Sequence, residues 1–318
     1  MLLSILLIVL GFISLIFGAN WLVDGASALA KKYKVSDLAI GLTIVAFGTS
    51  APELVVNVIA SLNSYSDIVL GNIIGSNNFN LFIILGLAAL IYPIKVQSST
   101  AWKEIPISLF ITILLVFLLN DFNFSENTFL SRLDAIILLV LFLVFLYYVF
   151  LQMKRDSTVQ DSPVPLMSPK KTWIYIILGL GGLILGGHLV VTNSIEVASS
   201  LGVSEKIIGL TIVAAGTSLP ELVTSAVSAF KKNSDIAIGN VIGSNIFNIM
   251  LILSISSLVN PLTYNPRFNM DLGILIGGTI FLLLFMLTGE KKKLDRWEAA
   301  ILFGFYVIYT TYLVLQEF

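Results

Sequence analysis

The sequence predicts an all-α, polytopic membrane protein built from two related halves. Composition, long apolar segments and an internal repeat predict this class. Hydrophobic residues make up 57% of the 318-residue chain, charged residues only 12%, and the mean hydropathy is +0.96. These values lie far outside the range of soluble globular domains.

Apolar segments long enough to span a bilayer follow one another along the chain. A helix that crosses the hydrocarbon core needs about 20 mostly apolar residues. Ten segments qualify, at residues 2–23, 37–62, 67–91, 104–120, 129–151, 172–197, 205–230, 235–259, 270–288 and 297–315. Because the chain has no Cys and a single His, His188, we expect no disulfide framework, thiolate metal site or His cluster.

An internal repeat relates the two halves at a spacing of 168 residues. Residues 35–85 placed on residues 203–253 give 29 identities in 51 pairs. The segment GLTIVAFGTSAPELV at 41–55 recurs as GLTIVAAGTSLPELV at 209–223, and GNIIGSNNFN recurs as GNVIGSNIFN. Each half holds five predicted spans, and this odd number makes the halves cross the membrane in opposite directions. We therefore expect two inverted-topology five-helix repeats, as in many secondary transporters.

The distribution of basic residues predicts the orientation of the chain. Alternate loops place fifteen Lys and Arg residues on one side, namely Lys31, Lys32, Lys34, Lys95, Lys103, Lys154, Arg155, Lys170, Lys171, Lys231, Lys232, Lys291, Lys292, Lys293 and Arg296. Only three, Arg132, Lys206 and Arg267, fall on the other side. Short loops rich in Lys and Arg stay cytoplasmic, so both termini are expected outside a plasma or inner cell membrane.

The same pattern predicts how the chain is divided. We expect a first five-helix repeat at residues 1–152, a cytoplasmic linker at 153–170 and a second repeat at 171–318. The Pro and Ser content of the central stretch is typical of a flexible linker. The two repeats are expected to form one integrated transport domain in the lipid bilayer.

The first repeated block places a carboxylate inside an apolar span of each half. Glu53 and Glu221 mark functional positions, since a charge at the bilayer centre costs on the order of 3 kcal/mol or more. On a helix, Thr49 and Ser50 share a face with Glu53, as Thr217 and Ser218 do with Glu221. A Pro one residue before each Glu is expected to free carbonyls near Gly48 and Gly216, and at membrane depth these need a partner such as a cation.

The second block supplies a polar stripe. Asn72, Ser76 and Asn80 recur every four residues, as do Asn240, Ser244 and Asn248. Such side chains also serve as hydrogen-bonding groups between membrane helices, the alternative interpretation for Asn72 and Asn240 in particular. Gathered around a pseudo-two-fold axis, the two blocks predict an all-oxygen cage. A hard cation such as Ca²⁺ selects this environment, and Na⁺ can use the same oxygens, fewer at a time.

The two GTSxPE motifs, each followed by GNxIGSNxFN, resemble the alpha repeats of the cation/calcium antiporter superfamily, and most closely the prokaryotic sodium/calcium exchangers. The resemblance covers essentially the whole chain. It implies alternating access, in which Na⁺ and Ca²⁺ compete for overlapping sites while the first and sixth spans slide across the bundle. It also implies a ligand set: Glu53, Glu221, Thr49, Thr217 and the carbonyls of Ala46 and Ala214 for Ca²⁺; Ser50, Ser218, Ser76 and Ser244 for Na⁺; and Asn80 in the inner shell.

Asn248 departs from part of that family, where an Asp occupies this position. The site then carries at most two formal negative charges, which one Ca²⁺ or two Na⁺ would neutralise, and the stoichiometry stays open. The expected function is export of Ca²⁺ in exchange for Na⁺ entering the cell.

Several alternatives stay open beside this expectation. Buried carboxylates can also carry protons, which makes a calcium/proton antiporter the nearest alternative, and a gated cation channel is a third. The TSxPE segments offer Ser without His and Glu without a paired Asp, so an enzyme is not expected. Neither a prosthetic group nor a nucleic-acid partner is expected, and a site between the halves of one chain suggests a functional monomer.

Overall fold

The computed structural model describes residues 2–97, 100–120, 129–155, 167–201, 214–286 and 292–316, and these residues are almost entirely helical. The helices of the first half are α1 (Leu2–Tyr33), α2 (Asp37–Ile40), α3 (Ala46–Thr49), α4 (Ala51–Leu62), α5 (Ser66–Asn78), α6 (Leu85–Ile91), α7 (Ile105–Leu119) and α8 (Arg132–Arg155). Those of the second half are α9 (Pro169–Ser200), α10 (Ala214–Gly216), α11 (Leu219–Phe230), α12 (Ser234–Phe247), α13 (Leu253–Val259), α14 (Asn269–Phe285) and α15 (Arg296–Gln316).

Turns of π-helix join several of these helices into longer rods. They lie at Gly41–Val45, Phe79–Ile84, Thr100–Glu104 and Asn248–Ile252, and a 3₁₀ turn at Pro266–Phe268 precedes α14. Two of the π turns occupy equivalent places, since Asn80 and Asn248 are related by the 168-residue repeat. Turns of π-helix occur frequently at functional sites.

Seven helices within the described residues are long and apolar enough to cross a membrane: Leu2–Tyr33, Ser66–Ile91, Trp102–Leu119, Arg132–Met153, Pro169–Val197, Ser234–Val259 and Pro266–Phe285. The pair Asp37–Thr49 and Ala51–Leu62, bent by 47°, makes an eighth if it is one span. The all-α, polytopic class is therefore present. The number of ten membrane spans stays a prediction.

Two predicted spans account for the difference. The segment at 205–230 lies partly outside the described residues, which begin again at Ala214, and its described remainder is the 12-residue helix α11. The segment at 297–315 is helical as α15 but is not among the seven. The predicted linker at 153–170 also lies largely outside the described residues.

The first and sixth predicted spans, α1 and α9, cross at very short range. A Cβ atom added to Gly18 would lie 2.8 Å from the Leu183 backbone nitrogen, and one added to Gly179 would lie 2.6 Å from that of Leu22. A side chain is thus excluded at these two glycine positions, where the two backbones are in direct contact. Small residues allow this approach between membrane helices.

The helices that carry the polar stripes form the centre of the molecule. In the most apolar window of Ser234–Val259, 94% of the residues are buried, compared with 22% for Arg132–Met153. Large apolar side chains of the outer helices, such as Leu133 on α8 and Phe12 on α1, are exposed. This distribution is the one expected of a bundle whose outer surface faces lipid.

Two short antiparallel ladders join the halves. Strand β1 (Ile94–Lys95) pairs with β4 (Lys293–Leu294), and β2 (Phe129–Leu130) pairs with β3 (Leu262–Thr263). Each ladder takes one strand from each half, so the halves are joined by backbone hydrogen bonds as well as by side-chain packing.

Candidate cation site

The repeated TSxPE motif lies at a helix break. Helix α3 ends at Thr49 and α4 begins at Ala51, with Ser50 between them at φ −84° and ψ 5°. In the second half Ser218, at φ −89° and ψ 7°, precedes α11 in the same way. The irregular backbone that the sequence predicts is therefore present, but the prolines start new helices rather than opening an interior turn. Proline suits the first helical turn because its missing N–H has no partner there in any case.

The backbone at this break is largely hydrogen-bonded. The carbonyl of Ala46 accepts a hydrogen bond from the Ser50 N–H at 3.0 Å, and Thr49 Oγ1 lies 3.3 Å from it. Its role as an ion ligand therefore stays a prediction. The equivalent Ala214 is the first residue of α10, and its carbonyl likewise stays a predicted ligand.

Glu53 and Glu221 lie at the centre of the buried region, each only 1% exposed. Both occupy the first turn of a helix, where the backbone dipole favours negative charge. Glu221 Oε1 accepts a hydrogen bond from Ser50 Oγ at 2.8 Å, whereas Ser218 Oγ lies 3.5 Å from Glu53 Oε1. Each carboxylate is thus in contact with a serine of the other half.

Further hydroxyl contacts also join the two halves. Ser50 Oγ lies 3.0 Å from Ser244 Oγ, and Ser218 Oγ lies 3.2 Å from Ser76 Oγ. Every one of these bonds joins the first block of one half to the second block of the other. The repeats therefore share one site and do not form two separate ones.

The threonines make the corresponding contacts with amides. Thr49 Oγ1 donates to Asn240 Oδ1 at 3.0 Å, and Thr217 Oγ1 donates to Asn72 Oδ1 at 3.4 Å. Asn240 Nδ2 in turn donates to the Glu221 carbonyl at 3.3 Å. The interhelical packing role that the sequence leaves open for Asn72 and Asn240 agrees with these bonds.

Four oxygens of the predicted ligands are buried and have no hydrogen-bond donor among the described residues: Glu53 Oε2, Glu221 Oε2, Asn80 Oδ1 and Asn248 Oδ1. Burying polar oxygens without a partner is costly, particularly when they carry charge. A hard cation satisfies several such oxygens at once. Within the part of the chain that the structure describes, no three His, Cys, Asp or Glu residues cluster, so a cation here would depend on two carboxylates and neutral oxygens.

Three buried asparagines beside the site were not predicted from the sequence. Asn77 and Asn245 lie next to Ser76 and Ser244, and Asn57 Nδ2 donates to the Glu53 carbonyl at 2.7 Å. A search in steps of four residues passes over Asn77 and Asn245. Their presence at equivalent positions of the repeat was the signal that could have identified them.

A bundle of membrane-spanning helices with two buried carboxylates among neutral oxygens defines a membrane transport protein for hard cations. The family model described as "Sodium/calcium exchanger protein" matches residues 3–151 and 171–315. The chain belongs to this family.

Curated relatives match nearly the full length of the chain. "Putative antiporter CaxA" of Alkalimonas amylolytica is 35% identical over 97% of this chain and 98% of the relative. "Sodium/calcium exchanger MaX1" of Methanosarcina acetivorans is 34% identical over 96% of this chain and 97% of the relative. A solved structure of the sodium-calcium exchanger NCX_Mj, soaked with Na⁺ and Sr²⁺, is similar with a TM-score of 0.83 and 32% identity, covering 96% of this chain and 97% of that one.

Proposed function

We propose that this protein is a sodium/calcium exchanger, which exports Ca²⁺ from the cytoplasm in exchange for Na⁺ entering down its gradient. The four buried oxygens without donors, contributed equally by the two halves, carry this proposal. A cation in the middle of the bundle would satisfy these oxygens. Membership of the exchanger family and similarity to proteins named as sodium/calcium exchangers support the identity of the ions.

The proposed ligands divide by charge. Glu53 and Glu221 supply the two negative charges that one Ca²⁺ neutralises, with Thr49, Thr217 and the carbonyls of Ala46 and Ala214 as neutral Ca²⁺ ligands. The hydroxyls of Ser50, Ser218, Ser76 and Ser244 line the Na⁺ positions, and the Oδ1 atoms of Asn80 and Asn248 complete the inner shell. The burial of the eight described Glu, Ser and Asn side chains in this set supports the assignment.

Charge balance makes the two ions mutually exclusive. Two carboxylates are neutralised either by one Ca²⁺ or by two Na⁺, and occupancy by both would leave an excess of positive charge in a medium of low dielectric constant. Competition for one site couples the two fluxes without a separate coupling device.

We propose that the chain has ten spans in two inverted repeats at 1–152 and 171–318, joined by a cytoplasmic linker at 153–170. Reciprocal bonds support a two-fold relation, since Asn77 Nδ2 donates to the Asn245 carbonyl and Asn245 Nδ2 donates to the Asn77 carbonyl, both at 3.2 Å. With five spans per half, that axis would lie in the membrane plane. Both termini would then be extracellular, in a plasma or inner membrane.

Transport would proceed by alternating access, with α1 and α9 sliding over the bundle. The glycines at their crossing support this, because each glycine removes a side chain that would otherwise have to repack as the helices shift. The site is completed by two halves of one chain, so we propose a functional monomer without a prosthetic group or an enzymatic step.

The test is Ca²⁺ uptake into proteoliposomes containing the purified protein. Vesicles loaded with Na⁺ and diluted into Na⁺-free buffer are compared with vesicles loaded with K⁺ and with vesicles that have an acidic interior. We expect uptake from the Na⁺-loaded vesicles only. Uptake driven by the acidic interior would identify a calcium/proton antiporter, and uptake in all three would identify a leak or channel.

Two variants complete this experiment. Glu53→Gln removes a proposed ligand charge and should abolish Na⁺-driven uptake. Asp67→Asn is the matched control, because Asp67 is an exposed carboxylate paired at the surface with Arg267 at 2.9 Å. Uptake by the control should equal that of the unmodified protein.

A further inference from the structure

Two asparagines that are not among the proposed ligands meet between the halves. Asn77 on α5 and Asn245 on α12 are buried, and each donates from Nδ2 to the backbone carbonyl of the other. Residues related by the repeat thus bind one another reciprocally. The amide oxygens of the pair remain available as acceptors for other groups.

Those amide oxygens bind the two inner-shell asparagines. Asn248 Nδ2 donates to Asn77 Oδ1 at 2.9 Å, and Asn80 Nδ2 donates to Asn245 Oδ1 at 3.0 Å. The bonds cross between halves, so that Asn77 holds the ligand of the second half and Asn245 holds that of the first. Every side-chain oxygen and nitrogen of the pair is then hydrogen-bonded.

This arrangement fixes the orientation of the inner-shell amides. Once Nδ2 of Asn80 or Asn248 is bound, its Oδ1 lies on the other arm of a planar group and has no donor among the residues that the structure describes. Without the bond to Nδ2, rotation about the terminal torsion would turn the amide nitrogen toward a cation, which it repels. The pair therefore orients Asn80 and Asn248 so that an amide oxygen, and not an amide nitrogen, faces the ion.

We propose that Asn77 and Asn245 are positioning residues for Ca²⁺ binding, and that each orients the inner-shell asparagine of the other half through its amide oxygen. This inference rests on the proposed function, in which Asn80 and Asn248 are ion ligands. It also accounts for an amide at position 248. Asn248 Nδ2 donates to Asn77 Oδ1, and an aspartate carboxylate at this position would have no such donor.

The test is a double-mutant cycle read by Ca²⁺ binding to purified protein in detergent and by the half-saturating Ca²⁺ concentration of transport. Asn77→Ala should weaken Ca²⁺ binding by about five- to tenfold, the factor that corresponds to one hydrogen bond. In the Asn248→Ala background the same substitution should have little further effect, because its target has been removed.

The control cycle combines Asn77→Ala with Asn80→Ala. The two residues share no side-chain bond. The factors by which the two substitutions weaken Ca²⁺ binding should therefore come closer to multiplying in the double variant than those of Asn77→Ala and Asn248→Ala do. Maximal transport rate per folded protein should change less than the Ca²⁺ affinity. Equal coupling in the two cycles, or a loss of rate with unchanged affinity, would show that Asn77 has only a structural role and would overturn the proposal.

The reciprocal cycle of Asn245→Ala with Asn80→Ala repeats the test in the other half, with Asn248→Ala as its control. If an alanine variant does not elute as a single folded species, Asn77→Thr and Asn245→Thr replace it, and the same coupling pattern is required. Wild-type protein that neither binds nor exchanges Ca²⁺ would overturn the proposed function. Wild-type exchange with equal coupling in all cycles would overturn this inference alone.

Discussion

At the residue scale, the two central carboxylates differ in how well the protein compensates their charge. Glu221 Oε1 has two hydroxyl neighbours, Ser50 Oγ at 2.8 Å and Ser244 Oγ at 3.5 Å. Among the described residues, Glu53 Oε1 has one hydroxyl neighbour, Ser218 Oγ at 3.5 Å. Hydroxyls solvate a carboxylate in place of water, and a buried charge without such contacts is destabilising. Glu53 therefore depends more on a bound cation than Glu221 does.

This difference predicts opposite effects of Glu53→Gln on stability with and without Ca²⁺. In cation-free buffer, at a pH at which Glu53 is ionised, the variant should unfold at a higher temperature than the wild type, because an uncompensated buried charge is gone. The wild type should gain about 2.7 kcal/mol at a Ca²⁺ concentration of 100 times Kd, whereas the variant should gain almost nothing. Thermal unfolding in detergent, followed by intrinsic fluorescence, measures both quantities.

Glu221→Gln and Asp67→Asn serve as the comparisons. In cation-free buffer we expect a smaller rise in unfolding temperature for Glu221→Gln, since Glu221 Oε1 already has a close donor, and no change for Asp67→Asn. Equal gains for the two central substitutions would show that the hydroxyl contacts do not compensate the charge of Glu221.

At the element scale, the α1–α9 crossing sets how closely the proposed moving helices approach. A Cβ at Gly18 would lie 2.9 Å from the Gly179 carbonyl oxygen and 2.8 Å from the Leu183 nitrogen. Backbone atoms cannot move aside as flexible side chains do. An added methyl group therefore has to separate the helices.

We predict that Gly18→Ala lowers the free energy of unfolding by about 1–3 kcal/mol, the usual cost of overpacking, and reduces the exchange rate. Gly181→Ala is the matched control, because Gly181 is on α9 and an added Cβ there meets no atom within 4 Å. The measurements are thermal unfolding and Na⁺-driven Ca²⁺ uptake. Because Gly→Ala raises helix propensity in both variants, a loss in Gly181→Ala as large as that in Gly18→Ala would mean that the crossing does not cause the effect.

Element boundaries show which features of the fold the sequence could predict. Hydropathy located the first span at 2–23, but α1 continues to Tyr33, because hydropathy marks where the chain leaves the hydrocarbon core and not where a helix ends. Ala26, Ala28 and Ala30 extend that helix and are buried against its neighbours. The broken span was predictable from Pro52, since proline favours the first turn of a helix, although the break itself lies at Ser50.

The candidate site was predictable where its residues followed a helical period from the carboxylates. Thr49, Ser50 and the stripes at steps of four were found in this way. Asn77 was missed because the second block was followed in steps of four only, although residues three apart, such as Asn77 and Asn80, also share a helix face. No sequence period shows that Asn77 binds Asn248, because the two are 171 residues apart and only the packing of the halves brings them together.

At the scale of the whole molecule, equivalent positions of the repeat provide a direct test of topology. Ser64 and Lys232 are 168 residues apart, both are exposed, and both have left-handed backbone conformations, with φ 62° and 59°. Inverted repeats place such equivalent turns on opposite sides of the membrane. Ser64 is expected outside and Lys232 in the cytoplasm.

Because the chain has no native Cys, single Ser64→Cys and Lys232→Cys variants can be labelled without background. A membrane-impermeant maleimide added to intact cells should label the first variant and not the second, and both should be labelled after the membrane is permeabilised. Labelling of both variants in intact cells would indicate parallel repeats and would contradict the proposed extracellular termini.

The two halves differ at the ends of α1 and α9. Lys231 Nζ contacts Asp24 Oδ1 at 2.7 Å and the Asn20 carbonyl at 3.1 Å, which ties α1 to the turn between α11 and α12. Under the 168-residue repeat, Lys231 corresponds to Asn63, and Asp24 corresponds to Thr192. Asn63 Nδ2 donates to the Ile59 carbonyl of the preceding helix. Among the described residues, the contact at the predicted cytoplasmic end therefore has no equivalent at the extracellular end.

A contact present at one end only stabilises one of the two arrangements that alternating access requires. Lys231→Met keeps the apolar stem and removes the ion pair, which is worth up to about 1 kcal/mol for partly exposed side chains. We predict that the cytoplasm-open population rises, so that the half-saturating concentration of cytoplasmic Ca²⁺ falls by up to about fivefold. Ca²⁺ transport measured from each face of oriented vesicles gives this value, with Asn63→Met as the control at the equivalent position. If both half-saturating concentrations are unchanged, the ion pair persists in both arrangements, and the asymmetry of the ends does not bias transport.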